Sequence, residues 1–197
     1  NVQIISRNFY GVIRVIEKGK DNPNGSYFDE VHGGTRHGCQ MVSPEVAALP
    51  TSYYAFKSGV AHLLETHHND RPRRIGVIGL GAGTLATYGR PGDVIDFYEI
   101  DETVIDLAKN FFRFLGDSQA KVTVIPGDAR LSLAQGEPKQ YDILVLDAFS
   151  SDAIPIHLLT AEAFEVYRKN LAPDGVIAAH ISNQYFDLHP VMAGHAR

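Results

Sequence analysis

Two aspartates follow an apolar run in the second half of the chain. The run "YDILVL" occupies residues 141–146, and the stretch that comes next, "DAFSSDAIP", carries Asp147 and Asp152. A carboxylate in a partly desolvated pocket stabilises a cationic substrate, orients an amine or removes its proton. These two side chains are therefore candidates for chemistry on an amine-bearing ligand. The residues alone leave one alternative, in which Asp147 ends a strand and "SSD" forms a turn before Pro155.

A glycine loop and another acid follow two earlier apolar runs. The loop "IGLGAGT" allows a tight turn that a ligand can approach closely, because it contains Gly79, Gly81 and Gly83. The next apolar run ends in "YEID", which places Glu99 about 20 residues after the loop, where an acid accepts hydrogen bonds from both ribose hydroxyls. Loop and acid together predict a bound nucleoside. Thr84 stands where a dinucleotide loop usually has its last glycine, so the loop favours S-adenosylmethionine over a nicotinamide dinucleotide.

A third acid, Asp128, stands in "PGDAR" at the end of another apolar run. It can accept a hydrogen bond from the exocyclic amine of adenine, and it can equally cap the helix predicted for "ARLSLAQ". In open sheets of parallel strands, ligands bind outside the carboxyl ends of the strands. Acids at the ends of successive strands therefore predict one site at that edge, with Asp147 beside the nucleoside loop.

The elements that would hold these residues change in kind along the chain. Residues 1–50 contain short β-branched and aromatic runs separated by turn signals, which predict a small antiparallel β-sheet acting as a lid. Residues 51–197 begin with a helix predicted over 51–66 and then alternate between strands and helices, which predicts an α/β domain with a doubly wound, mostly parallel sheet. Its predicted strands cover 74–80, 93–100, 121–127, 141–148 and 175–182, and its longer helices cover 102–115 and 160–171. This sheet type normally adds two further strands, which the sequence does not indicate.

Composition limits the classes of function. The net charge is −5 and the pI about 6.0, so there is no broad positive field for nucleic acid. The single cysteine, Cys39, excludes a disulfide framework and a multi-cysteine zinc site. His67 and His68 lie in a polar turn without a third ligand at useful spacing, and His180 fits a histidine in the sheet core. We therefore expect neither a metal site nor a nucleic-acid partner.

Membrane and targeting signals are not evident in the sequence. No segment approaches the roughly 20 apolar residues of a membrane helix, and the first residues carry no signal-peptide pattern. We therefore expect no membrane span in this chain and a cytoplasmic location. The open edge of the predicted parallel sheet could pair with another chain, which makes a homo-oligomer compatible with the sequence.

Several of these stretches together resemble one enzyme family, the spermidine synthase family of polyamine aminopropyltransferases. The resemblance lies in the glycine loop, in "YEID" and "GDA", in "YDILVLDAFSSDAIPIHLLTAEAF" and in the hairpin "VHGGTRHGCQ". It is greatest to the bacterial spermidine synthase-like branch, which is often fused to membrane segments. It implies a class I S-adenosylmethionine methyltransferase-like fold, decarboxylated S-adenosylmethionine as the donor co-substrate, a di- or polyamine as acceptor and no permanently bound cofactor.

The resemblance also implies roles for individual residues. Asp147 would orient and deprotonate the attacking amine, and Asp152 and Tyr53 would bind the amine chain. The donor nucleoside would be held by Gln40 from the N-terminal sheet, by the loop glycines, by Glu99 at the ribose and by Asp128 with Ala129 at the adenine.

The glycine loop departs from the family pattern, and two alternatives to aminopropyl transfer stay open. The family's glycine loop usually carries an acid that binds the donor's aminopropyl ammonium, and this chain has Ala82 there. Intact S-adenosylmethionine tolerates that alanine better, so a small-molecule methyltransferase is one alternative. The other is a non-catalytic module that binds the nucleoside without turnover, and it is suggested by the two further strands that the sequence does not indicate.

Overall fold

This computed structural model describes residues 1–22, 25–148, 155–182 and 187–196. The strands within these ranges form two sheets, one antiparallel and one parallel. The antiparallel sheet is formed by β1 (Val2–Asn8), β2 (Gly11–Lys18), β3 (Tyr27–His32) and β4 (Thr35–Met41), in that order. The parallel sheet is formed by β5 (Arg74–Ile78), β6 (Val94–Glu99), β7 (Lys121–Pro126), β8 (Tyr141–Leu146) and β9 (Leu171–Ala179). Alternate residues of β2, Ile13 and Val15, are buried, which is the pattern of a sheet with one face on the core.

The order of the parallel strands is β7-β6-β5-β8-β9. The chain moves outward from β5 through β6 to β7 and then returns to the other side of β5 as β8, so the direction of winding reverses between β5 and β8. A crevice forms at the carboxyl ends of the strands beside such a reversal. Every residue of β8 is buried, as expected for a central strand that is covered on both faces.

Helices cover both faces of the parallel sheet. They are α1 (Gly59–Thr66), α2 (Glu102–Asn110), α3 (Phe114–Asp117), α4 (Ala129–Gln135), α5 (Ala161–Asn170) and α6 (His189–His195). One core cluster joins α1, α2 and α3 to the sheet and to β2, and a second joins α4 and α5 to the opposite face. The predicted α/β fold with a small N-terminal antiparallel sheet is confirmed. In the described ranges, none of the helices has the length and apolar character needed to cross a lipid bilayer.

The helix predicted over 51–66 begins later than the apolar spacing suggests. Residues 52–54 form a single 3₁₀ turn, in which Ser52 adopts a positive φ of 60°. α1 starts at Gly59, because the hydroxyl oxygen of Ser58 caps it by accepting the backbone N–H of Ala61 at 3.1 Å. The prediction was wrong here because apolar spacing does not register a capping serine inside the run.

The helix predicted over 102–115 is also shorter, and the reason lies in the docking of the N-terminal sheet. Phe111 leaves the end of α2 and its ring packs edge to face against Phe28 of β3, with 4.8 Å between the ring centroids. At the end of β1, the side-chain amide of Asn8 donates to the carboxylate of Asp101 at 2.6 Å. These contacts hold the antiparallel sheet against the carboxyl edge of the parallel sheet.

Candidate active site

Backbone hydrogen bonds continue the parallel ladder past the ends of the strands. The N–H of Gly79 donates to the Tyr98 carbonyl at 2.9 Å, and the N–H of Asp147 donates to the Ile78 carbonyl at 2.8 Å. The N–H of His180 donates in the same way to the Leu146 carbonyl at 2.9 Å. The first residues after three neighbouring strands are therefore fixed in a row along one edge. This is the edge that faces the antiparallel sheet.

A cavity of about 430 Å³ lies between this edge and the antiparallel sheet, a volume within the usual range for small-molecule sites. Its described lining contains no lysine or arginine. It contains five carboxyl groups and three histidines, which are Glu30, Glu99, Asp101, Asp128 and Asp147 with His32, His37 and His157. A cavity lined in this way attracts cations and disfavours anions.

The glycine loop forms the floor of the cavity, and two of its glycines make close contacts with neighbouring backbone there. Gly79 has a φ of +98°, and a Cβ there would collide with the carbonyl oxygen of Asp147. Gly81 has a φ of +50°, and a Cβ there would lie 2.8 Å from the carbonyl oxygen of His37 in β4. Gly83 caps the 3₁₀ turn that follows and packs against Leu115, outside the cavity lining. The loop thus touches the end of β8 on one side and the antiparallel sheet on the other.

Glu99 is held in place by the backbone around it. Its Oε2 accepts the N–H of Leu80 in the glycine loop at 3.0 Å, and its Oε1 accepts the N–H of Asp101 at 2.9 Å. Burial raises the pKa of the Glu99 carboxyl, and these two backbone donors lower it part of the way back. A carboxylate offers about four lone-pair sites, so Glu99 can still accept a hydrogen bond from a ligand hydroxyl.

Asp147 forms a pair with a histidine from the neighbouring strand end. Its Oδ1 is hydrogen-bonded to Nδ1 of His180 at 2.6 Å. Burial raises the pKa of the Asp147 carboxyl, and the hydrogen bond and charge of His180 oppose that rise. The prediction of a core role for His180 was wrong, because this histidine is only partly buried and lies at the edge beside Asp147. Apolar neighbours in the strand concealed it.

Tyr53 lies behind this pair and outside the cavity lining. Its ring is tilted against the His180 ring, with 4.8 Å between centroids, and its hydroxyl donates to the His37 carbonyl at 3.3 Å. The pKa of the Tyr53 phenol is raised by burial, and further by the negative charges of Asp147 and Glu30. Tyr53 is therefore a neutral residue that lies between the Asp147–His180 pair and the antiparallel sheet.

Asp128 lines the cavity with Ala129, but both of its carboxylate oxygens have protein partners. Oδ1 accepts the backbone N–H of Leu131 at 2.9 Å and so caps α4, and Oδ2 is hydrogen-bonded to Nε2 of His157 at 2.8 Å. The capping role that the sequence allowed is present. An adenine amine would reach Asp128 in competition with His157, which the sequence did not identify.

Gln40 lies away from the cavity lining, with both ends of its amide engaged. Its Nε2 donates to the Ala47 carbonyl at 3.0 Å, and its Oε1 accepts the N–H of Arg113 at 3.0 Å. Asp152 lies outside the described residues. The structure thus brings together six of the predicted site residues around one cavity: Gly79, Gly81, Glu99, Asp128, Ala129 and Asp147.

One group of metal-type ligands lies away from this cavity. His68, Asp142 and Asp174 place ligand atoms within 4.8 Å of one another, so the prediction that His68 lacks a third ligand at useful spacing was wrong. Arg71 donates to the carboxylate of Asp142 at 2.6 Å. A guanidinium in that position already neutralises the carboxylate that a metal ion would need.

Comparison with known proteins gives a consistent family match. Residues 53–193 match the sequence model of the spermine/spermidine synthase domain. A polyamine aminopropyltransferase of Vibrio vulnificus is 34% identical over 117 residues, which are 57% of this chain and 38% of that protein. Putrescine N-methyltransferase 2 of Nicotiana attenuata is 28% identical over 123 residues, which are 60% of this chain and 33% of that protein.

Solved structures agree with the fold. A probable spermidine synthase from Corynebacterium glutamicum superposes with a TM-score of 0.69 and 21% identity, covering 89% of this chain and 62% of that one. The chain spans less than two fifths of the length of the Vibrio vulnificus and Nicotiana attenuata relatives.

Proposed function

The chain belongs to the spermine/spermidine synthase family, and from that membership we propose that it transfers an aminopropyl group from decarboxylated S-adenosylmethionine to a di- or polyamine. The observation that carries the proposal is the acidic cavity at the carboxyl edge of the parallel sheet, where Asp147 stands beside the glycine loop. Five carboxyl groups without a described lysine or arginine suit a sulfonium donor and an amine acceptor, because both are cations in water.

Donor binding would use the groups that the backbone already orients. Glu99 would accept the ribose hydroxyls, since backbone N–H groups hold its carboxylate at the cavity wall and a carboxylate has lone pairs to spare for a ligand. The nucleoside would approach the backbone at Gly79 and Gly81, where no side chain intervenes. The remaining predicted groups would contribute at the adenine end or from behind the loop, and they are Asp128, Ala129, Gly83 and Gln40.

The chemical step would be a displacement at carbon. The lone pair of the amine attacks the carbon next to the sulfonium, a C–N bond forms, and the C–S bond breaks with its electron pair on sulfur. The leaving group is a neutral thioether, 5′-methylthioadenosine, and the proton lost by the amine goes to Asp147. A carboxylate with a raised pKa is a stronger base than an exposed aspartate, which suits this role. Asp152 and Tyr53 would hold the rest of the amine.

The test is turnover with defined donors. The purified protein would be given decarboxylated or intact S-adenosylmethionine with putrescine, cadaverine or spermidine, and both products would be identified by mass spectrometry. We expect 5′-methylthioadenosine and an aminopropylated amine in equal amounts. Binding of the nucleoside without turnover across the whole panel would contradict the proposal and support the non-catalytic module.

Methyl transfer from intact S-adenosylmethionine is the second candidate, and two observations favour it. Ala82 supplies no charge from the glycine loop, and the chain shares 28% identity with a putrescine N-methyltransferase. The same acidic cavity would then orient an amine towards the methyl group. In the same turnover assay, this candidate predicts S-adenosylhomocysteine and a methylated amine.

His180→Ala is expected to lower kcat about 10-fold and to move the acidic limb of the pH profile of kcat/KM to higher pH. His180 lowers the pKa of Asp147, so its removal raises that pKa, and the ionised base then appears only at higher pH. His180→Gln retains an N–H donor and should shift the limb less. The measurement is kcat and kcat/KM between about pH 5 and 9, which separates positioning of Asp147 from a structural effect.

His62→Ala, on the exposed face of α1, serves as the control for loss of an imidazole. It should leave both the rate and the profile unchanged. A lower kcat in His180→Ala with an unmoved acidic limb would show that His180 supports only the local structure.

A further inference from the structure

Glu30 is a buried acid in the antiparallel sheet, and the proposed transfer step does not use it. Glu30 is 1% exposed and lines the cavity, and its Oε2 has no hydrogen-bond partner among the described residues. A buried carboxyl oxygen without a partner is costly to the folded protein. Because this oxygen lies at the wall of a cavity large enough for a ligand, we expect a hydrogen-bond donor on the ligand to be its partner.

The register of the sheet shows where Glu30 points. Glu30 of β3 pairs with Gly38 of β4, and side chains of directly paired residues lie on the same face of a sheet. A Cβ built at Gly38 would lie 2.7 Å from the Cβ of Ala82, so this face rests on the glycine loop. Glu30 therefore projects from the face of the sheet that rests on the glycine loop.

The charges around Glu30 are predominantly negative. Burial, followed by the carboxylates of Glu99 and Asp101, raises the pKa of Glu30 to about 8. Oδ2 of Asp101 is also buried without a hydrogen-bond partner in the described part of the chain. The other titratable groups that line the cavity or lie against it on this side are Tyr10, His32, His37, Tyr53 and Asp147. Near neutral pH Glu30 is therefore mainly a neutral acid.

We propose that Glu30 is the specificity-determining group that distinguishes amine-bearing from uncharged nucleosides, and that binding of the amine ionises it and releases a proton. An ammonium group donates up to three hydrogen bonds and so satisfies Oε2 directly, whereas a sulfonium has no N–H or O–H to donate. The cation also offsets the repulsion from Glu99 and Asp101. This inference rests on the proposed function, because it takes the ligand to be a nucleoside of the donor type.

The experiment compares two thioether nucleosides that differ in the amine-bearing arm. Decarboxylated S-adenosylhomocysteine carries an ammonium and no sulfonium, and 5′-methylthioadenosine carries neither charge. Calorimetric titration at about pH 7, in two buffers of different ionisation enthalpy, measures affinity and the number of protons exchanged. In the unaltered protein we expect the amine-bearing nucleoside to bind with release of roughly 0.7 to 1 proton, and the uncharged one to bind with almost none.

Glu30→Gln should lose this distinction. Its affinity for the amine-bearing nucleoside should fall about 10- to 100-fold, the range for one charge-assisted hydrogen bond, and its proton release should vanish. Its affinity for 5′-methylthioadenosine should stay within about twofold. Glu30→Asp, which keeps a carboxyl, should still release a proton, and Glu137→Gln, an exposed acid, should match the unaltered protein.

Folding of the variant is checked in the same series. A carboxyl whose pKa is raised in the folded protein disfavours folding increasingly as the pH rises from about 4.5 towards 8. Glu30→Gln should therefore raise the melting temperature at about pH 8 and leave it unchanged at about pH 4.

The outcomes separate this inference from the proposed function. An unchanged affinity ratio in Glu30→Gln, together with nucleoside binding and turnover by the unaltered protein, would overturn the role of Glu30 alone. Failure of the unaltered protein to bind either nucleoside would overturn both.

Discussion

Asp147→Asn is expected to lower kcat by about 10²- to 10⁴-fold, which is the range that a general base contributes. The asparagine amide has nearly the same size, and its oxygen can still accept the hydrogen bond of His180, which lies 2.6 Å from Asp147 in the native pair. It cannot take the proton of the attacking amine. Because the change lies beside the reacting carbon and not at the ribose, the dissociation constant of 5′-methylthioadenosine should change by less than about threefold. Single-turnover kinetics and calorimetry measure the two quantities separately.

The control is Asp106→Asn, which removes a carboxylate from the exposed face of α2. It should retain full activity and the same melting temperature as the unaltered protein. Nearly unchanged turnover in Asp147→Asn would remove Asp147 from the role of base. A parallel loss of nucleoside binding would instead show that Asp147 shapes the cavity.

The sequence predicted the fold and the location of the site for one physical reason. Parallel strands buried on both faces must be nearly continuous apolar runs, so the ends of β5, β6, β7 and β8 could be recognised from composition. The residues at those ends and just after them necessarily meet at one edge of the sheet. Gly79, Glu99, Asp128 and Asp147 were found in this way, and all four line the same cavity.

The residues that the sequence missed depend on contacts between distant parts of the chain. His180 is 33 positions from Asp147, and only the pairing of β8 with β9 brings their side chains together. Glu30 faces the glycine loop because of the register between β3 and β4 and because of the docking of that sheet. The local hydrophobic pattern of the sequence shows neither the strand register nor the docking of the sheet. From that pattern alone, an acid within a strand is predicted to be exposed to solvent.

Acidic groups are far more concentrated in the cavity wall than in the chain as a whole. A net charge of −5 over 197 residues is modest, yet the described cavity wall carries five carboxyl groups and no lysine or arginine. Acids held together out of water raise one another's pKa, as Glu99 and Asp101 do for Glu30. A cationic ligand is therefore attracted more strongly to this site than the overall charge suggests, and the proposed ammonium–Glu30 pair adds to that attraction after the cost of ionising an acid that was neutral is subtracted.

Glu99→Gln is expected to weaken binding of 5′-methylthioadenosine by about 30- to 1,000-fold, equivalent to about 2–4 kcal/mol. The carboxylate accepts N–H groups from Leu80 and Asp101 through separate oxygens, so a glutamine must turn its NH₂ towards one of these donors. One oriented acceptor for the ribose is lost, and the negative charge that strengthens the other bond is lost with it. Glu102→Gln, an exposed acid in the first turn of α2, provides the matched control and should bind normally.

A thermodynamic cycle that combines Glu99→Gln with removal of the ribose hydroxyls from the ligand identifies the contact that is lost. The 2′,3′-dideoxy analogue of 5′-methylthioadenosine should bind the unaltered protein weakly, because it has no hydroxyls to donate to Glu99. In Glu99→Gln the two nucleosides should bind with nearly equal affinity, since the interaction has been removed from both sides of the cycle. Continued discrimination between them in the variant would place the ribose against a different acceptor. Because the uncharged nucleoside is used throughout, the result depends on the ribose contact and not on the ammonium site at Glu30.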